Sequence, residues 1–279
     1  MHAGVAGVVA VNRAPSGLAA LPAAVTLAVL FGGALLGALR LSLQPVPGAT
    51  AVDGSVWLEL LADPGLRRAM VFSAAIALSA TALSAALALP VAAGLRRLPV
   101  VRTAFALPVL VPHLLVAVVA VLWLGPGGLA ARALGGLPVE VVRDSLGAGI
   151  VLVYVFKEVP FLVLLVLAAW DRTVEERREA ATVFGAGRWQ VFTTVVWPAV
   201  RAPLLLGSGI VAAFVFGAFE VPLLVGPTTP RTVATWALDA TRTASLAGQA
   251  RAAASLLLAS GISLLLAAAA FGLARRRGD

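Results

Sequence analysis

Four ionisable side chains lie inside long apolar stretches of this 279-residue chain, where a charge is costly and by default indicates function. They are His113, Lys157, Glu158 and Glu220. Such groups can relay protons, bind a solute or neutralise one another. Lys157 and Glu220 fall in two predicted spans, about 7 Å apart along the membrane normal by helical rise. Two interpretations stay open: an ion pair that locks these spans together, or a polar lining for a pathway through the membrane.

The other two side chains have alternatives of their own. His113 follows Pro112, and a hydrogen bond to a neighbouring helix competes with a role in a pathway or gate. Glu158 alternatively faces a partner subunit. Prolines in the same spans predict kinks where backbone hydrogen bonds are lost. They are Pro108, Pro112, Pro160 and Pro222.

The sequence lacks the motifs of several enzyme and metal sites. Lys157 is its one lysine, so the Gly-x-x-x-x-Gly-Lys-Ser/Thr loop that holds nucleotide phosphates does not occur. His2 and His113 are too far apart for a His-Glu-x-x-His zinc site, and the absence of cysteine excludes disulfides and thiolate metal sites. A Gly-x-Ser-Gly protease motif fails because position 206 is Leu206. We therefore expect no catalytic residue, no metal and no cofactor.

Composition places the chain in the lipid bilayer. It is 61% hydrophobic and 12% charged, with a mean hydropathy of +1.00, which is far more apolar than a soluble domain. The net charge of +8 would raise the question of nucleic acid in a soluble protein. Here the arginines stand at the ends of apolar runs, which is typical of orientation in a membrane and predicts no nucleic-acid partner.

Six apolar stretches are long enough to cross the hydrocarbon core, which predicts an all-α membrane protein with six transmembrane helices. They are predicted at residues 21–43, 70–95, 103–124, 146–170, 203–225 and 250–274, after a leader at 1–20 and before a basic tail at 275–279. An even number of spans puts both termini on one side. That side would carry 12 arginines against 8 on the other, and the excess predicts that it is cytoplasmic.

The longest polar segment, DRTVEERREAATVFGAGRWQVFTTVVWP, lies between predicted spans four and five. Thr173 and Glu176 have the spacing of a capping box, which predicts the start of a helix. Gly185 and Gly187 predict its end, because glycine leaves a helix without steric cost. A second short helix is predicted from 188 to the residue before Pro198. The segment is thus predicted to be a helix–turn–helix unit outside the bilayer.

The same segment resembles the EAA loop found in permease subunits of binding-protein-dependent, type I ABC importers. The resemblance rests on fixed spacing: Glu179-Ala180-Ala181, three residues, Gly185, nine residues, then Val195-Val196-Trp197-Pro198. Trp197 stands where the family usually has Leu. The resemblance covers residues 66–270 as an importer transmembrane domain and makes 171–200 its cytoplasmic coupling loop. The residues that it implies in coupling to an ATPase are Glu179, Ala180, Ala181, Gly185, Gly187, Arg188 and Pro198.

This resemblance implies a permease subunit in a bacterial inner membrane that forms half of a solute pathway. The implied partners are separate ATPase subunits, a second permease of the same or a related sequence, an extracytoplasmic solute-binding protein and the bilayer itself. Residues 216–222 resemble a segment of importers for polyamines, ferric iron, thiamine or related solutes. A self-sufficient, ion-driven secondary transporter is the alternative. It would typically show paired repeats, and we find none in the sequence.

Overall fold

The computed structural model describes residues 16–43, 52–136, 140–243 and 245–276. Most of the predicted leader and residues 277–279 of the predicted tail therefore lie outside the described residues. All regular structure in the described ranges is helical. The helices are α1 (Ser16–Leu43), α2 (Ser55–Ala62), α3 (Pro64–Leu95), α4 (Pro99–Leu110), α5 (His113–Leu124), α6 (Leu129–Leu134), α7 (Ala148–Ala169), α8 (Arg172–Val183), α9 (Arg188–Val191), α10 (Trp197–Gly217), α11 (Glu220–Val225), α12 (Val233–Arg242) and α13 (Leu246–Arg276), with a π-helical turn at Phe192–Val196.

The predicted fold class is confirmed. Six helical segments in the described residues are long and apolar enough to cross a membrane. The 22 residues of α7, for example, extend about 33 Å at 1.5 Å per residue, close to the thickness of the hydrocarbon core. The predicted spans one, two, four and six each correspond to one of these helices, with ends that differ by a few residues.

The third span is broken, which corrects the prediction of one helix over 103–124. α4 ends at Leu110, and α5 begins at His113. Pro112 has no backbone N–H to donate and forces the preceding Val111 into an extended conformation, with ψ of 131°. The sequence predicted a kink here, and the structure has a complete interruption of the helix.

The fifth span is displaced towards the polar loop, which corrects the prediction of 203–225. Helical structure runs from Arg188 through the π-turn to Gly217, and the predicted stop before Pro198 is wrong. In the π-turn the N–H of Trp197 donates to the carbonyl of Phe192, five residues back. This wider turn precedes Pro198, which contributes no N–H of its own, and the chain continues as a helix.

Four helices form the centre of the bundle, where α10 packs against α3, α7 and α13, and α3 packs against α7. Small residues allow these contacts: a Cβ added at Gly209 would lie 1.9 Å from the Cβ of Ala270, so the α10 and α13 backbones approach closely. α1 packs on α13, and none of the most apolar window of α1 is buried. It therefore lies at the outside of the bundle.

Alternation of the six spans assigns every connection to one of two ends. The 96–98 link and the 170–187 loop share one end with the end of α13. The described parts of the other connections, at 52–63, 125–136, 140–147 and 218–243, share the other end. Two ion pairs fit this arrangement, since Arg96 contacts Glu175 at the first end and Arg251 contacts Asp63 at the second.

Candidate functional site

The 171–200 loop begins with α8, whose first turn is capped by Asp171. The Asp171 carboxylate accepts the backbone N–H of Val174 at 2.9 Å. The predicted capping box at Thr173 and Glu176 is therefore wrong by two residues. Asp171 is the N-cap because it lies in extended backbone directly before the helix, and aspartate is among the strongest N-cap residues. Glu176 instead pairs with Arg172 at 2.9 Å on the exposed face of α8.

The end of α8 is a Schellman motif centred on Gly185. Gly185 adopts a φ of +82°, its N–H donates to Thr182, and the N–H of Ala186 donates to Ala181. A side chain at this φ would be strained, so the predicted role of Gly185 in ending the helix holds. Gly187 differs: its φ is −67°, and it precedes α9 in extended backbone that any residue adopts.

Large apolar side chains are exposed at this turn. Phe184 is 91% exposed and Val183 85%, although both lie between candidate spans, and Trp189, at the start of the fifth span, is 75% exposed. Exposed apolar clusters of this kind mark surfaces that bind other proteins. The sequence prediction missed these three residues. Their signal was available, because they are large apolar residues on either side of Gly185 and Gly187 in the longest polar segment of the chain.

Glu175 connects the 171–200 loop to the transmembrane bundle. Its Oε2 atom accepts a hydrogen bond from Arg96 at 2.8 Å and one from the indole of Trp170 at 3.1 Å. Its Oε1 atom accepts from Arg178 at 2.9 Å. The Arg96 guanidinium also lies 4.9 Å from the centre of the Trp170 ring, a cation–π contact. α8 is thus fastened to the ends of α3 and α7.

The ionisation of Glu175 follows from these contacts. Partial burial raises the pKa of Glu175, but the hydrogen bond from Arg178 and the positive charges of Arg96 and Arg178 outweigh it, so the net shift is downward. The same hydrogen bond raises the pKa of Arg178. These contacts therefore favour the charged forms of Glu175 and Arg178, whereas burial lowers the pKa of Arg96.

The residues predicted from the EAA pattern lie on the exposed side of the loop. Glu179 and Ala180 are exposed, and Ala181 is half-buried. The Glu179 carboxylate lies 3.8 Å from Arg178, a looser contact than that of Glu175. Gly185, Gly187, Arg188 and Pro198 are also exposed. The predicted residues are therefore all exposed or half-buried, and Val183, Phe184 and Trp189 lie among them in the sequence.

Inside the membrane, Lys157 fills the break in the third span. Its side chain comes from α7 and is only 4% exposed. The ammonium donates hydrogen bonds to the carbonyls of Pro108 and Val111, and lies 3.4 Å from that of Val109. These carbonyls belong to the C-terminal end of α4 and the interruption after it, where helical partners are lacking. A cation is favourable there because it also complements the helix dipole.

Glu158, the next residue of α7, contacts α5 on the other side of the break. Its carboxylate Oε1 lies 2.9 Å from Nε2 of His113, the first residue of α5, where negative charge is favourable. The His113 ring lies 4.8 Å from the Phe214 ring of α10, centre to centre. Together with Phe161 and Ile210, these side chains border a groove of about 220 Å³ in the membrane-spanning part.

Glu220 lies apart from this group. Among the residues that the structure describes, no ion pair joins it to Lys157, whose ammonium is already bound to the carbonyls of the α4–α5 break. The predicted Lys157–Glu220 ion pair is therefore not formed. The helix α10 stops at Gly217, and Glu220 stands exposed in the first turn of α11. Within the described ranges, no group of three or more His, Asp or Glu side chains could hold a metal ion.

The sequence model of one protein family matches most of the chain. Residues 80–277 match the family described as "Binding-protein-dependent transport system inner membrane component". The matched part includes the broken third span, the Lys157–Glu158 pair and the entire 171–200 loop. Nothing in the match concerns ion-driven transport, so the secondary-transporter alternative gains no support from it.

Curated relatives are permeases of two transport systems. The chain is 28% identical over 212 residues to the "Thiamine transport system permease protein ThiP" of Brucella abortus (strain 2308), an alignment that covers 74% of this chain and 38% of ThiP. It is 31% identical over 142 residues to the "Molybdenum transport system permease protein ModB" of Azotobacter vinelandii, covering 48% of this chain and 60% of ModB. The chain thus spans well under half of the ThiP relative that it matches.

Solved structures share the fold over nearly the whole chain. A chain of a bacterial alginate ABC transporter, crystallised in complex with an alginate pentasaccharide-bound periplasmic protein, matches with a TM-score of 0.74 and 19% identity, covering 95% of both chains. A second crystal structure, of a bacterial ABC transporter involved in alginate import, matches with a TM-score of 0.73 and 18% identity. At these identities the likeness concerns the fold alone.

Proposed function

Because the chain belongs to the family of binding-protein-dependent transport system inner membrane components, we propose that it is the permease subunit of an ATP-driven importer. It forms half of a solute pathway, and its 171–200 loop couples that pathway to a separate ATPase. One observation carries this proposal. Phe184, Val183 and Trp189 form an exposed apolar cluster around the end of α8, a charged helix that Glu175 fastens to the transmembrane bundle.

The loop is built to transmit force as well as to bind. At one side Glu175 fastens α8 to Arg96 of α3 and Trp170 of α7. At the other side α9 continues through the π-turn into α10 without a flexible link. A partner that moves the apolar cluster would therefore move three spans. ATP can drive alternating access in this way if the partner binds one state of the bundle more tightly than the other.

Besides this chain, the proposed assembly contains two ATPase subunits, a second permease, a binding protein and a small solute. Two ATPase subunits hydrolyse ATP, since this sequence has no phosphate-binding Gly-x-x-x-x-Gly-Lys-Ser/Thr loop. A second permease, of the same or a related sequence, completes the pathway. An extracytoplasmic binding protein delivers a small solute. The relatives are named for thiamine and for molybdenum, which differ in chemistry, so we assign no single solute.

The proposed orientation places the 171–200 loop and both termini in the cytoplasm of a bacterial cell, with the chain in the inner membrane. The excess of arginine at that end of the six spans supports it. The domain that performs transport is proposed to extend over residues 66–270, with α1 as an added span at the outside. The described residues at 125–136, 140–147 and 218–243 then face the binding protein.

The groove beside His113 and Glu158 is proposed to face the pathway or the second permease. A carboxylate and an imidazole are costly against lipid, and such groups in spans line cavities or subunit contacts. The groove is nevertheless open to the surroundings of a single chain. Lys157 has a different role. Its ammonium binds the carbonyls at the α4–α5 break, which fixes the start of α5 and so positions His113 relative to Glu158.

Affinity purification from native membranes in mild detergent, with ATPase activity measured on the eluate, tests the proposal. The wild-type chain should carry an ATPase subunit, and Phe184→Ser should lose it while still inserting in the membrane. Thr182→Ala is the matched control, because Thr182 is exposed on the same helix and its hydroxyl bonds only to the Arg178 carbonyl. A stable chain that elutes alone, without ATPase activity, would remove the importer function.

A further inference from the structure

A second charged site lies at the end of the molecule opposite the 171–200 loop. Three arginines and one aspartate line a cavity of about 270 Å³ there. They are Arg143, Arg231, Arg242 and Asp239. The arginines exceed the acid by two charges. The segments that supply them follow the third and the fifth spans, so the fold brings them together from distant parts of the sequence.

Asp239 neutralises only part of this charge. Its carboxylate forms an ion pair with Arg231 and lies 3.7 Å from Arg242. In the described part of the chain, Arg143 has no carboxylate partner. The neighbouring Asp144 is directed elsewhere, because its two oxygens accept the N–H groups of Leu146, Ala148 and Gly149 at the start of α7. The Arg143 guanidinium is thus available to an incoming anion.

Backbone hydrogen bonds hold the segments that carry the arginines. Arg143 adopts a φ of +66°, a strained conformation for a non-glycine residue, and its N–H donates to the carbonyl of Val225 at 2.7 Å. Helix α12 carries Asp239 and Arg242. Its residue Val233 is buried, and the N–H of Val233 donates a 2.9 Å hydrogen bond to the Ser73 hydroxyl of α3. The basic cavity is therefore preformed and does not need to be assembled by a ligand.

We propose that this cavity, the arginine pocket, binds a carboxylate side chain of the extracytoplasmic binding protein. The proposal rests on the proposed function, which puts this end of the molecule outside the cell. Guanidinium groups bind carboxylates through paired hydrogen bonds. Arg242 is 67% and Arg231 41% exposed on their side chains, so a carboxylate on a large partner can reach them.

The partial exposure fits a partner that arrives and leaves in every transport cycle. Arginines at the rim of an interface accelerate encounter and make it depend on ionic strength more than they slow dissociation. Three guanidinium groups that share one internal acid would attract a carboxylate without holding it permanently. The same chemistry would accept an anionic solute or an anionic lipid headgroup, and the experiment has to separate these sources from a protein carboxylate.

The test measures ATPase activity of the permease–ATPase complex in nanodiscs while purified binding protein is titrated at several salt concentrations. Arg143→Gln and Arg242→Gln should each raise the half-saturating concentration of binding protein about three- to tenfold at low salt. The double variant should flatten the salt dependence. Arg132→Gln is the matched control, because Arg132 is exposed at the same end and does not line the cavity. Basal ATPase activity reports that each variant is folded.

Three results would overturn the proposal. Titrations of the pocket variants that match Arg132→Gln would show that the pocket takes no part in docking. A changed KM for solute uptake with unchanged docking would assign the pocket to an anionic solute. An effect that appears only with anionic lipid in the nanodisc would assign it to a lipid headgroup. If the binding protein fails to stimulate even the wild-type complex, the proposed function itself fails, which is a separate outcome.

Discussion

Arg96, at the end of α3, donates a hydrogen bond to Glu175 of α8 at 2.8 Å, although 79 residues separate them in the sequence. This contact joins the second span to the loop that we propose binds an ATPase. The same carboxylate also accepts hydrogen bonds from Trp170 and Arg178. Glu175 is therefore the residue through which movement of the loop would reach the spans.

Replacement of Glu175 should loosen the loop from the bundle. Glu175→Gln removes the charge that three donors share, and hydrogen bonds to charged groups contribute about 1.5–3 kcal/mol each before solvent reduces this at a partly exposed site. We expect a fall in thermal stability of several degrees and a loss of solute-stimulated ATPase activity. Glu176→Gln is the control, since its ion pair with Arg172 is exposed and should contribute little. Equal effects of both variants would contradict the account.

The lowered pKa of Glu175 predicts a dependence of stability on pH. A carboxyl whose pKa is lower in the folded state than its ordinary value of 4.5 stabilises the fold above that value. The contribution is lost as the pH falls through the folded-state pKa. The melting temperature of the wild type should therefore exceed that of Glu175→Gln by a constant amount above about pH 5 and converge with it in more acidic buffer. A gap that stays constant in acidic buffer would disagree with this origin.

The two glycines of the turn should respond differently to alanine. Gly185→Ala places a Cβ at a φ of +82° and should cost on the order of 1 kcal/mol, lowering ATPase coupling by distorting the apolar cluster. Gly187→Ala has open space and a φ of −67°, so it should be neutral. Gly185→Asp should also lower coupling, because it places a charged side chain beside the exposed Phe184. Uptake assays on inserted protein would show the difference, and equal uptake by all variants would count against the turn.

Lys157 should be required for the third span to keep its shape. Lys157→Met leaves the carbonyls of Pro108 and Val111 without a donor in a buried site, at a cost of roughly 1–3 kcal/mol. Phe156→Leu, one residue earlier on an exposed face, should change thermal stability little. A second substitution, Glu220→Gln, should not rescue Lys157→Met, because the two residues do not pair. Recovery in the double variant would restore the ion-pair interpretation that the structure replaces.

Local signals made much of this molecule predictable. The lengths of the apolar runs predicted six spans, although the third is broken and the fifth begins at Arg188, inside the predicted 171–200 loop. Pro112 predicted a disturbance in the third span but not a complete break. Proline alone did not predict the break, because the break depends on a second helix. Lys157 of α7 donates hydrogen bonds to the carbonyls that the break leaves without helical partners.

Contacts between distant segments could not be predicted in this way. Arg96 and Glu175 meet only because α3 and α8 end at the same side of the bundle. Glu158 was expected beside a partner or a pathway, and its neighbour His113 was found across a helix interface. The exposed Phe184 is different in kind: its position in a charged segment was visible in the sequence, but its exposure depends on the Gly185 turn.

Crosslinking from position 184 shows whether the loop contacts an ATPase subunit. The chain contains no cysteine, so Phe184→Cys labelled with a photoreactive maleimide carries one probe, and Leu134→Cys, exposed at the opposite end, carries the control. The account predicts a crosslink from 184 to an ATPase subunit, with a yield that changes when ATP binds, and none from 134. A complex that retains ATPase activity but shows no crosslink from 184 would contradict the proposal that this loop couples ATP to transport.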